Sequence, residues 1–260
     1  MANGAAPEKK LIVSVGISKT SYDGMVALCK EWAAERRLNP PSTARYVCVT
    51  TVQGIVQSRD DAYLHKIFNE ADVATPDGMP VVWAMRSFGT RDQQRVYGPT
   101  LMLHLCRSAA EHGHRIFLYG GRETTLPILK AKLLERFPDL IVAGSYAPPF
   151  RPLTEEEDVA VREMISQSDA DIVFVGIGSP KQEVWMYEHR AYFPGVTMLG
   201  VGAAFDFHAG ITKQAPLWIQ QSGFEWLFRL CTEPVRLWRR YILLTPRFLP
   251  LWAMQLIKER

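Results

Sequence analysis

The sequence predicts an α/β protein: a mostly parallel, Rossmann-like sheet with helices on both faces, followed by a C-terminal helical appendage. Three observations predict it. Short β-branched runs alternate with helical segments over most of the 260 residues, the order that builds parallel sheets. Several of those runs are apolar without polar alternation, as strands covered on both faces are. Charge and tryptophan are also unevenly spread. From Ile211 on, eight Lys/Arg meet three Asp/Glu, against 22 and 24 in the remainder, and four of the seven tryptophans (Trp218, Trp226, Trp238, Trp252) lie in that stretch.

The elements follow in order. Strands are expected at 11–15, 46–50, 72–75, 115–119, 140–144, 171–176 and 196–201, each rich in β-branched or aromatic residues. Pro99 fits the first turn of a helix that Gly113 ends. Thr154 and Glu157 form a capping box opening "EEEDVAVREMISQS". Residues 216–232 read as one amphipathic helix, Glu233-Pro234 interrupts it, a second segment runs to Pro246, and "RFLPLWAMQLIKER" finishes the chain. Arg229, Arg236, Arg239 and Arg240 recur near helical spacing, so this charge can share a face. The expected division is a catalytic α/β domain over 1–213 and a basic, Trp-rich appendage over 214–260.

Composition bounds the function. With 47% hydrophobic and 22% charged residues the chain is ordinary globular protein. Cys29, Cys48, Cys106 and Cys231 form no C-x-x-C pair and read as reduced core residues of a cytoplasmic protein. "MANGAAPEKK" lacks the features of a signal peptide, and no apolar run reaches the roughly 18 residues a membrane span needs. No P-loop, H-E-x-x-H or G-x-S-x-G pattern occurs. Asp169-Ala170-Asp171 precedes its strand, the wrong end for a ligand, so no metal is expected and a leaving diphosphate would need arginines and helix N-termini. Gly176 and Gly178 supply two glycines of G-x-G-x-x-G, but Lys181 stands where the third belongs.

In parallel sheets ligands collect at the carboxyl ends of the strands, which directs attention to five turns: "VTTVQG", "TPDGMP", "YGGRETT", "GIGSPKQE" and "GVGAAFDFHAG". In the second, Asp77 follows a strand and Gly78 lets the chain turn beside it. That carboxylate reads equally as a general base or as the N-cap of the next helix. Gly120 and Gly121 precede a helix start that reads either as a phosphate site, with Arg122 adding charge, or as a simple capped turn. Gln182 can bond a base or sugar hydroxyl, and Lys181 beside it is either a ligand contact or a solvated helix end. Asp206 lies between two phenylalanines, an unlikely place for an idle charge.

Taken in order, "TPDGMPVVW", "RVYGPTLM", "FLYGGRE", "GIGSPKQEVW", "GVGAAFDFHAG" and "FEWLFRLCTEPVRLWRR" resemble the WecG/TagA/CpsF glycosyltransferases from about residue 46 to about residue 245. The resemblance implies inverting transfer of an N-acetylmannosamine, N-acetylmannosaminuronic acid or glucose type sugar. The donor is a UDP-sugar and the acceptor a polyprenyl-diphosphate-linked saccharide, in the making of cell-surface polysaccharide without a cofactor or metal. It implies Asp77 as catalytic base, with Arg229, Arg236 and Arg239 as appendage arginines over the active site. Gln182 matches the family's cleft glutamine, and Asp206 the aspartate near the nucleotide. Gly78, Gly120, Gly121, Gly178 and Lys181 join them as substrate-binding residues. Where the family carries Thr-x-Asn this chain has Val49-Thr50-Thr51, so Thr51 takes the asparagine's place.

The basic, aromatic tail then reads as a device for docking on an anionic membrane surface, worth about 1 kcal/mol per basic residue near it, which places the protein on the inner face of the cell membrane. A nucleic-acid partner is not expected, and a homo-oligomer stays open. Two rivals remain at this stage: a Rossmann-type oxidoreductase, which needs the missing third glycine, and a non-catalytic adaptor, which leaves the five polar turns unexplained.

Overall fold

The structure is a computed structural model that describes residues 6–259, and of Arg240 the backbone alone. Among the described residues eight strands form: β1 (Lys9–Ile12), β2 (Val15–Ser18), β3 (Arg45–Thr50), β4 (Val73–Pro76), β5 (Arg115–Gly120), β6 (Ile141–Tyr146), β7 (Ile172–Gly176) and β8 (Thr197–Gly200). Six make one sheet in the order β4-β3-β8-β7-β5-β6, and the other two make a separate hairpin. The predicted mostly parallel α/β sheet is what forms. The chain divides into two compact units, one of Tyr22–Cys48 with Gly98–Thr212, the other of Pro7–Ser21, Val49–Tyr97 and the chain from Lys213 on.

In the first unit the strands run parallel in a register that lines up Val47, Leu199, Phe174, Leu118 and Ser145 across the sheet. The first four are fully buried, as expected of strands with helices on both faces. β6 lies at the edge and is the exception, with Ile141 exposed. The expected caps appear. Thr154 Oγ1 accepts from the Glu157 N–H while the Glu157 carboxylate accepts from the Thr154 N–H. Gly113 ends its helix at φ +68°.

At the carboxyl ends of β5 and β7 the backbones nearly touch. A Cβ on Gly120, at φ +128°, would lie 2.5 Å from the Gly176 carbonyl carbon, and Gly121 N–H donates to Gly176 O at 3.1 Å. Phe205 packs over Gly176, where an added Cβ would meet its ring at 2.9 Å. That contact seats the short helix Ala204–Ala209, and with it Asp206, at this end of the sheet.

The second unit holds the two departures from the expected elements. The run at 11–15 is not one strand: β1 and β2 pair antiparallel and the chain reverses at Val13 and Ser14. Val13 has φ +58°, a left-handed conformation that costs a β-branched residue roughly 1–2 kcal/mol. Tertiary bonds hold it. Val13 N–H donates to Gln255 Oε1 at 2.7 Å, Ser14 Oγ to Ile55 O at 2.9 Å, and Asn69 bridges Ser14 O and Gly16 N. The segment 216–232 is likewise two helices, Leu217–Ser222 and Glu225–Thr232, parted at Gly223 with φ +83°. A Cβ there would meet Trp83 Cη2 at 2.9 Å.

Beyond Glu233 come a short helix Pro234–Trp238, a π-helical turn Arg239–Leu244 and a last helix Phe248–Lys258. Leu237 and Phe248 are buried, Trp252 Nε1 donates to Ser87 Oγ at 3.0 Å, and Arg247 pairs with Asp60 at 2.8 Å. Many other apolar side chains of this stretch face solvent, Leu217 and Trp218 at 71% and 70% exposure and Val235 at 90%. The expectation of core cysteines is met at Cys29, Cys48 and Cys106 and corrected at Cys231, which is exposed on helix Glu225–Thr232. Among the described residues no helix is long and apolar enough to cross a membrane.

Gly120→Ala should destabilise by on the order of 3 kcal/mol, since the methyl meets backbone and the φ is unfavourable for an L-residue. Chemical denaturation checks this, and the same change at Gly113, where an added Cβ meets nothing within 4 Å, should cost less.

Candidate active site

The strand-end residues are best taken unit by unit. In the second unit Asp77 follows β4 directly, and its N–H donates to Thr50 O at 2.9 Å, fixing the turn to the end of β3. The N-cap of the next helix, Met79–Ser87, is Gly78 at φ +94°. The Asp77 carboxylate faces another partner: Arg95 Nε and Nη2 both donate to its Oδ1, at 2.9 and 2.8 Å. The N-cap alternative for Asp77 is thus not its position in the helix.

Arg95 comes from an irregular stretch held in place by backbone bonds. Val96 N–H donates to Pro76 O at 2.9 Å, and Arg86 Nε to Gln93 O at 2.8 Å, which lays the stretch against the end of β4. The guanidinium rests on the Tyr97 ring at 4.1 Å and gives its remaining arm, Nη1, to Glu225 Oε2 at 2.6 Å. Asp77 and Glu225 are each only 8% exposed. Burial works against the charge of Arg95, but its two carboxylates outweigh that and raise its pKa. Burial, and then the negative charge of Glu225 and Asp77, pushes the Tyr97 phenol up, so it stays protonated.

These groups line a cavity together with Thr51, Gly78, Gln53, Gln220, Trp226, Arg229 and Tyr241. Of the expected site residues, then, Asp77, Gly78, Thr51 and Arg229 are brought together. Arg229 is mostly buried; burial opposes its charge, while Tyr241, Tyr97, Glu225 and Glu233 raise its pKa overall. Arg236 stands one step away. It pairs with Glu233 at 2.5 Å, and Glu233 also lies 3.9 Å from Arg229. Arg239 is exposed with its guanidinium 5.4 Å from the Trp238 ring centre, and it is not among the cavity's lining residues.

In the first unit, Gly120, Gly121 and Gly178 all have positive φ at strand ends. Gln182 is 3% exposed; its Oε1 accepts from Gly202 N–H at 3.0 Å and its Nε2 donates to Glu183 at 3.0 Å. It therefore ties the turn after β8 to the helix after β7. Lys181, its neighbour, is exposed, and Asp206 is half-buried in the first turn of its helix. A second cleft in this unit is lined by Gly121, Arg122, Thr124, Tyr146, Phe150 and Arg151, among others. Among the described residues no group of three or more His, Cys, Asp or Glu is placed to hold a metal ion.

Sequence reasoning passed over Arg95 and Glu225. Both sit in motifs it had singled out, "RVYGPTLM" and "FEWLFRLC", and the usable signal was chemical: an arginine just before a buried aromatic, and a lone acid in an aromatic helix start.

A mostly parallel sheet whose strand-end turns carry glycines, an acid and arginines is that of an α/β enzyme. The chain belongs to the Glycosyl transferase WecG/TagA/CpsF family, whose sequence model matches residues 11–260. It is 30% identical over 193 residues to the N-acetylglucosaminyldiphosphoundecaprenol N-acetyl-beta-D-mannosaminyltransferase of Bacillus subtilis (strain 168), a match that covers 74% of this chain and 71% of that protein. The family read from the motifs is thereby shown, and the enzyme class is glycosyltransferase.

Replacing Arg95 with Met leaves two buried carboxylates without their cation. This should destabilise the protein by about 3–5 kcal/mol, measured by chemical denaturation at neutral pH, with Arg95→Lys losing less.

Proposed function

We propose that the protein is an inverting glycosyltransferase that moves an N-acetylmannosamine-type sugar from a UDP-sugar to a polyprenyl-diphosphate-linked saccharide. The carrying observation is Asp77: a carboxylate at a strand end, held by Arg95 in a cavity that Arg229 also lines. In this reading Asp77 takes the proton of the acceptor hydroxyl as its oxygen attacks the anomeric carbon from the face opposite UDP. The bond to UDP breaks and UDP leaves with the electron pair. Arg229, with Arg236 and Arg239, offsets diphosphate charge.

The relative's name supports the sugar and the stereochemistry. It is an N-acetyl-β-D-mannosaminyltransferase acting on an undecaprenol-diphosphate-linked N-acetylglucosamine, and attack opposite the leaving group of an α-linked UDP donor gives a β linkage. Thr51 and Gly78 line the cavity beside Asp77 and serve as substrate contacts. Gly120, Gly121 and Gly178 let the donor approach the backbone closely, Lys181 and Asp206 meet its polar groups, and Gln182 holds the turn it rests on. No cofactor takes part. The exposed Leu217, Trp218, Val235 and Trp238, with Arg239 beside them, suit an anionic membrane surface at its cytoplasmic face, where a lipid-linked acceptor is presented.

Asp77→Asn should lower kcat by about 10²–10⁴-fold while leaving UDP affinity within about twofold. UDP release from a panel of UDP-sugars, with and without polyprenyl-diphosphate acceptor, reads it; unchanged turnover removes Asp77 from the mechanism. Leu217→Ser with Trp218→Ser should weaken binding to anionic liposomes about tenfold and leave the rate on a short-chain, water-soluble acceptor unchanged. Equal liposome binding by both proteins contradicts the docking role.

A further inference from the structure

We infer that Glu225 is a positioning residue, which acts through Arg95 to make the working pose of Asp77 conditional on the seating of helix Glu225–Thr232. The inference rests on the proposed role of Asp77 as base and adds what controls it.

The argument begins with guanidinium geometry. The group is planar, and its N–H directions are fixed relative to one another. Two of its arms converge on Asp77 Oδ1 and the third ends on Glu225 Oε2. Once Nη1 is held by Glu225 and one face lies on Tyr97, the plane of the group is set, and so is the direction from which Nε and Nη2 approach Asp77. Take Glu225 away and Arg95 keeps its attraction to Asp77 and its seat on Tyr97 but loses the point that fixes its rotation within that plane.

Glu225 is not placed like a carboxylate that merely complements a helix dipole. Such a group works from a solvated first turn, whereas Glu225 is buried and bonded to a residue 130 positions away. Its helix is seated by the Gly223 turn, which abuts Trp83, and Trp83 belongs to the helix that starts directly after Asp77 and Gly78. One turn on, Arg229 reaches the same cavity from the same helix face. Trp226 lines the cavity beside them, and Leu227 is exposed. A displacement of this helix therefore moves Glu225 and Arg229 together, taking from the cavity both the anchor of the acid's partner and a cation.

The test compares wild type, Glu225→Gln, Glu225→Asp and Asp77→Asn on a short-chain, water-soluble acceptor. It measures kcat, acceptor KM, UDP affinity and the thermal midpoint. Misplacing a reacting group by about 1 Å can cost about a hundredfold, so Glu225→Gln should lower kcat about tenfold to a hundredfold, with acceptor KM and UDP affinity within about twofold. Glu225→Asp, which keeps the charge on a shorter arm, should fall between Glu225→Gln and wild type; should Glu225→Gln fail to fold, a reduced kcat at unchanged KM in Glu225→Asp carries the test.

Three results overturn the inference: wild-type kcat in Glu225→Gln, a loss carried mainly by acceptor KM, or Glu225→Asp no faster than a folded Glu225→Gln. If Asp77→Asn is slow while Glu225→Gln runs at the wild-type rate, only the positioning role fails. A wild-type rate in Asp77→Asn sinks the proposed base itself.

Discussion

One buried guanidinium organises the site. Arg95 is shared between Asp77 and Glu225, both almost out of solvent, and buried carboxylates need such a paired, hydrogen-bonded cation. The charge pattern continues along the C-terminal segment. Arg229 lies in the same cavity and near Glu233, and Glu233 also takes Arg236. Acids and arginines thus alternate from the strand end into the tail. The arginines proposed to meet a diphosphate are already paired with Glu233.

The sheet of the first unit shows a different economy. β5 ends in Gly120 because the backbones of β5 and β7 approach too closely there for a side chain. The same closeness lets Gly121 N–H bond Gly176 O. Gln182 then closes the next turn through Gly202. The polar, glycine-rich turns picked out as a binding rim are, before any ligand arrives, a set of mutually bonded strand ends. Rigidity of that kind suits the donor-binding role proposed for these turns, since contacts held in advance cost less to use.

Much of this could be read from the residues. Unbroken apolar runs gave the parallel strands, and Thr154 with Glu157 gave a cap the structure reproduces. Asp77 and Gly78 stood out by their place at a strand end, though base and helix N-cap were equal readings of the acid until its bonds to Arg95 were seen. What escaped reading depends on distant partners. Val13 reverses the chain only because Gln255 and Ile55, far along the sequence, hold that turn, so "LIVSV" looked like one strand. Arg95 lies in no periodic element, and Glu225 is separated from it by most of the protein. The break at Gly223 was missed for another reason: a glycine inside a helical pattern costs about 1 kcal/mol, a local signal that was present in 216–232 but was outweighed by the amphipathic pattern around it.

The most direct test of the account is a crystal structure of the protein with UDP and an unreactive acceptor analogue. The acceptor hydroxyl should lie about 2.6–3.2 Å from a carboxylate oxygen of Asp77, with Arg95 still spanning Asp77 and Glu225. An Asp77 turned away from the acceptor, with some other acid or a bound water at that hydroxyl, would contradict it.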